Sequence, residues 1–114
     1  MRLSEIQHAD VTRRLGAFCA ARVPPHARSQ VRLGFRVEGN AVVLFEERPS
    51  FVRPNEWGQS EVAKFRWVAS RKVWQLFCKF RNGRWRGYEP FPESPTFAKL
   101  LDEVAADPTG IFWG

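Results

Sequence analysis

A chain of 114 residues with 18 Lys and Arg, 12 Asp and Glu and a net charge of +6 is long enough for one modest core and too short for two independent ones. Hydrophobic residues at 44% and charged residues at 26% exclude global disorder, and the basic balance favours acidic partners through long-range attraction. Cys19 and Cys78 are too few and too far apart for a disulfide framework or a structural zinc site. They read as buried thiols of a reducing compartment, with the cytoplasm as the expected location. No apolar stretch has the length of a signal peptide or of a membrane span, so no membrane association is expected.

Ser4 with Gln7 three residues on forms a capping-box pattern, and Val11, Leu15, Phe18 and Cys19 follow at one-turn spacing. This predicts a helix over residues 4–22, with Asp10, Arg13, Arg14 and Arg22 on its wet side. Val23-Pro24-Pro25 ends it, because proline clashes with the preceding turn. Val31, Leu33, Phe35 and Val37 alternate with Arg32, Gly34 and Arg36, and Gly39-Asn40 then leads into a second apolar run. That is a hairpin with a two-residue turn. Pairing Val37 with Val42 puts Leu33, Phe35, Val42 and Leu44 on a core face and Arg36, Val43, Phe45 and Glu47 on the other. Glu46 falls on the core side by this count, which requires either an edge position or a bulge.

Residues 50–60, with Pro54, Asn55 and Gly58, read as a loop in which Phe51 and Trp57 are either functional or plugs. Residues 62–69 and 72–80 read as a second hairpin around Ser70-Arg71, and Asn82-Gly83 is the strongest turn signal in the chain. Pairing Ala69 with Lys72 and Arg81 with Arg84 assigns one face to Ala63, Phe65, Trp67, Trp74, Leu76, Cys78, Phe80 and Trp85. The reverse face collects Lys64, Arg66, Val68, Val73, Gln75, Phe77, Lys79, Arg81, Arg84, Arg86 and Tyr88. Ser94-Pro95 reads as a helix start with Phe97, Leu100, Leu101 and Val104 at helical spacing, stopped by Asp107-Pro108-Thr109-Gly110. Ile111-Phe112-Trp113 is too apolar for a free tail and is expected to fold back as a short strand or plug. The fold class is α+β over residues 1–114: an N-terminal helix, a five-stranded, mostly antiparallel sheet built from hairpins, and a C-terminal helix packed on the aromatic face.

The basic face carries the leading functional reading. Lys79, Arg81, Arg84 and Arg86 around a hairpin tip, with Lys64 and Arg66 on the adjacent strand, are suited to phosphates, and Phe77 or Tyr88 to unpaired bases. Arg32 and Arg36 extend this patch if the sheet is continuous. The competing reading is an ordinary solvated face whose arginine stems cover apolar area. No catalytic residue, cofactor or metal is assigned: His8 and His26 are the two imidazoles, and no CxxC, HExxH or GxSxG motif accompanies them. Glu46, Glu47 and Glu61 near Lys64 suggest a metal-dependent nuclease, but Glu61 and Lys64 fall on opposite faces of a regular strand.

Taken together, RVEGNAVVLFEERP, Trp57 with VAKFRWV, VWQLFCKFRNGRWRGYEP and the closing DPTGIFWG resemble DUF3024, a family of small bacterial proteins of unknown function. The resemblance spans nearly the whole chain. It implies a stand-alone bacterial domain and carries no activity, cofactor or catalytic residue. The expected function, drawn from the basic sheet face, is non-catalytic binding of DNA or RNA. The alternatives are a protein-interaction or homodimerisation module built on Val68, Val73, Phe77 and Tyr88, and a metal-dependent nuclease.

Overall fold

The computed structural model describes residues 2–53 and 55–113. Pro54, within the expected loop, and Gly114, in the closing block, lie outside them, as does Met1. Helix α1, Glu5–Arg22, opens on the expected capping box: Gln7 N donates to Ser4 Oγ and Ser4 N donates to Gln7 Oε1, both at 3.1 Å. Strands β1 (Arg32–Glu38), β2 (Ala41–Pro49), β3 (Trp57–Val68), β4 (Val73–Lys79) and β5 (Trp85–Gly87) lie in chain order in one antiparallel sheet. A two-residue strand β6, Glu93–Ser94, pairs with β4, and helix α2 is Phe97–Ala106.

Val37 pairs with Val42, as the alternation predicts, and Gly39 takes the positive φ of 61° that the tight turn demands. Asn40 then fastens this turn to β3: its Nδ2 donates to the Trp67 carbonyl, and Trp67 N donates to the Asn40 carbonyl, each at 2.9 Å. Val42, Leu44, Ala63, Phe65, Trp74, Leu76 and Cys78 turn to one side and join Val11 and Leu15 of α1 and Phe97, Leu100, Leu101 and Val104 of α2 in one buried cluster. Both helices thus cover this inner face, and among the described residues no helix covers the outer face of the sheet.

The structure corrects several expectations. Strand β3 begins at Trp57, so the connection from β2 is short: Gly58, Gln59 and Ser60 pair with Arg48, Glu47 and Glu46. These residues lack apolar alternation, and backbone pairing with β2 holds them in the sheet. Phe51 is fully exposed and plugs nothing. The β3–β4 turn keeps the expected register, with Val68 opposite Val73, through a longer connection in which Lys72 has φ 53°. Helix α2 starts two residues after Pro95. Ser94 belongs to β6, and its Oγ accepts from Thr96 N at 3.1 Å.

The last residues form the expected plug. Asp107 ends α2 with φ 45°, and its carboxylate accepts from Phe112 N and Trp113 N. Phe112 is buried, and Trp113 Nε1 donates to the Val104 carbonyl at 2.8 Å. Arg22 is exposed, as expected, and its guanidinium lies 4.0 Å from the Trp113 ring centroid, tying the end of α1 to this plug. No helix among the described residues is long and apolar enough to cross a membrane.

Candidate nucleic-acid interface

Two one-residue irregularities decide what the outer face carries. The first is a bulge in β3. Leu44 pairs with Ala63 but Phe45 pairs with Glu61, which leaves Val62 as the extra residue. Glu61 is thereby rotated onto the same side as Lys64, correcting the opposite-face placement that simple alternation gives. Because the extra residue belongs to β3 and the β1–β2 ladder is regular, Glu46 keeps to the inner side, where it pairs with Arg48 at 2.8 Å.

The second irregularity is the Asn82-Gly83 turn. Phe80 N donates to the Arg84 carbonyl and Gly83 N to the Phe80 carbonyl, so Arg81, Asn82 and Gly83 form a three-residue loop with Gly83 at φ 78°. A three-residue loop with glycine in the left-handed position is one of the standard hairpin solutions. It pairs Lys79 with Trp85, Cys78 with Arg86 and Phe77 with Gly87, one residue away from the register of a two-residue turn. A slip of one residue exchanges the faces. Trp85, expected in the core, lies on the outer face. Arg86, expected beside Lys79, sits on the inner side with its guanidinium 4.5 Å from the Phe80 ring centroid. Phe80, expected in the core, is 42% exposed. Tyr88, expected to be open for stacking, is buried, with its N donating to the Leu76 carbonyl and its hydroxyl to Glu103 at 2.7 Å. Burial and the neighbouring carboxylate raise the Tyr88 pKa.

The outer face that results interleaves cations and rings. Lys64 stands opposite Phe77, with its ammonium 5.6 Å from that ring centroid and 5.9 Å from that of Trp85. Lys79 lies 4.4 Å from the Trp85 centroid, and the Arg66 guanidinium lies 5.0 Å from that of Phe77 while bonding Gln75 Oε1. These are cation–π distances. Glu61 accepts from both Lys79 and Arg36, and Arg36 also bonds Glu38 and Gln59. The Lys79 bond is the main reason that the Glu61 carboxyl is held below its ordinary pKa, with Arg36 adding to it against the opposing cost of burial.

Strands β1 to β4 are contiguous, so Arg36 extends the patch, as expected for a continuous sheet. Farther along, the Arg32 guanidinium packs 3.8 Å from the Trp57 ring centroid, which gives that tryptophan its role. Arg81 and Arg84 are exposed at the hairpin tip, and His8 and His26 are exposed and separate from this face. Among the described residues no group of three or more His, Cys, Asp or Glu is placed to hold a metal ion. The free cysteines are Cys19 and Cys78, both with pKa values raised by burial.

The family described as Domain of unknown function (DUF3024) matches residues 3–114. The chain belongs to the DUF3024 family. No curated protein and no solved structure matches it. In this DUF3024 domain the candidate site lies on the outer sheet face: Lys64, Arg66, Phe77 and Lys79 come together there, Trp85 joins them, and Arg86 and Tyr88 lie on the other side. The signal for Trp85 is Gly83, which serves a three-residue loop as well as a two-residue one.

Proposed function

We propose that this domain binds nucleic acid without chemistry, through the outer sheet face and the hairpin tip. Lys64, Arg66 and Lys79, with Arg81 and Arg84 at the tip, contact phosphates, and Trp85 and Phe77 stack on unpaired bases. One observation carries this reading: three cations are packed around two half-buried rings on a sheet face that neither helix covers, and among the described residues Glu61 is the one carboxylate bonded to any of the three. Stacking rings beside a basic track are what sequence-tolerant binding of single strands requires. The net charge of +6 adds long-range attraction.

The test is fluorescence anisotropy with mixed-sequence single-stranded DNA and RNA across a salt series. Five neutralised phosphates predict a roughly 100-fold loss of affinity between about 50 and about 200 mM salt. A flat salt response, or no binding at low salt, refutes the reading.

A further inference from the structure

We infer that β1 is a dimerisation edge, on which a second copy of this chain adds its own β1 antiparallel and joins the two sheets. The two edges of the sheet are unlike. One ends in the three-residue β5 and two-residue β6, too short to template another strand, whereas β1 runs seven residues without proline or lysine. Short strands, prolines and charged side chains, lysine above all, are the usual protection of an exposed edge; β1 has no proline or lysine, and its charges Arg32, Arg36 and Glu38 all lie on the outer face.

In a two-residue hairpin the residues flanking the turn, here Glu38 and Ala41, exchange hydrogen bonds. Alternate residues then face the other way, so Leu33, Phe35 and Val37 direct their N–H and C=O groups to the outer edge. Among the described residues, no backbone hydrogen bond runs from these three to any element but β2. Their side chains are only partly buried, while their inner-face neighbours Val42 and Leu44 on β2 are fully so. Hollows of about 560 Å³ between the start of α1 and Val37, and of about 210 Å³ between the end of α1 and Leu33, lie beside the strand.

What selects a second copy as the occupant is self-complementarity. Antiparallel pairing centred on Phe35 sets Arg32 against Glu38 of the second copy, twice by symmetry, Leu33 against Val37, and Phe35 against its counterpart. Opposite charges at facing positions stabilise such a pair, and like charges oppose it. The two-fold axis stands perpendicular to the sheet, so both outer faces look the same way and all four helices cover the other side. This assembly does not depend on the nucleic-acid reading.

Sedimentation equilibrium at roughly 100 µM chain, well above a micromolar dissociation constant, tests it. The wild-type chain is expected at twice its 13.2 kDa. Arg32→Glu and Glu38→Arg alone each place like charges opposite one another and raise the dissociation constant about tenfold. An equimolar mixture of the two, or the double variant, restores association. Far-UV circular dichroism checks that each variant is folded. As an independent measurement, a short bis-methanethiosulfonate, which spans the wider Cβ separation of a hydrogen-bonded pair, joins Phe35→Cys chains into a covalent dimer, with the wild-type chain as control. A single-chain mass for the wild type, an unchanged dissociation constant in both reversals, or no cross-link through Cys at position 35 overturns the proposal.

Discussion

Lys79 and Trp85 face each other directly across β4 and β5, the ammonium 4.4 Å from the indole centroid, on the side of the sheet away from both helices. This pairing separates two aromatic residues of the same segment into different roles. Trp85→Ala removes a stacking platform, and its affinity for single strands should fall about tenfold, in the range of about 1–3 kcal/mol per stacked base. Tyr88→Phe removes only the hydroxyl that donates to Glu103. It should leave affinity unchanged and cost about 1–2 kcal/mol of stability in urea unfolding. Equal losses of affinity in both variants would contradict the observed register.

The core was legible because its signal is redundant. Val42 and Leu44, Ala63 and Phe65, and Trp74 and Leu76 each repeat the same parity, and the helices supply matching apolar stripes. Along the partner-facing side, by contrast, the answer depended on single residues. Val62 as a bulge moves Glu61 to the side of Lys64, and Gly83 in a three-residue loop moves Trp85, Arg86 and Tyr88 together. Alternation amplifies a one-residue ambiguity into a change of face, and Asn-Gly is compatible with either loop length. The start of β3 was hidden for another reason: Gly58, Gln59 and Ser60 belong to the sheet by main-chain pairing, which polar side chains do not report.

Glu61 competes with any bound phosphate for Lys79 and Arg36. Glu61→Gln should therefore raise affinity for single strands severalfold at fixed salt and steepen the salt dependence by up to about one phosphate equivalent, measured by anisotropy. Stability should move the other way. The folded pKa of Glu61 lies below the ordinary 4.5, so its ion pairs stabilise the fold above the unfolded pKa, and this contribution is lost as pH falls through the folded one. The gap in unfolding free energy between wild type and Glu61→Gln should be full at neutral pH and close as pH drops below 4.5. A gap that widens in acid would show that Glu61 is not stabilised as its carboxylate.

Gly34 and Gly16 should respond oppositely to alanine. A Cβ on Gly34 would come 2.7 Å from Phe45 Cζ, because the Phe45 ring lies across this position from the facing strand. The ring must shift, at a cost of about 1–3 kcal/mol. A Cβ on Gly16, inside α1, meets nothing within 4 Å. Gly16→Ala should stabilise by about 0.5–1 kcal/mol through helix propensity. Chemical denaturation of both variants gives the two signs directly.

Cys19 bears on whether α1 stays seated on the sheet. Burial pushes its thiol pKa to about 11, since a thiolate beneath the helix would lose its hydration. At pH 8 only about one molecule in a thousand then carries the thiolate, against roughly a quarter for a free cysteine. Because the thiolate is the reactive form, Ellman's reagent should modify Cys19 in the folded chain several hundred times more slowly than in urea. Cys78, buried between β3 and β5, should be protected as well. Rapid modification of one thiol per native chain, assigned to Cys19 by peptide mapping, would mean that α1 lifts from the sheet often enough to expose the helix face formed by Val11, Leu15 and Phe18.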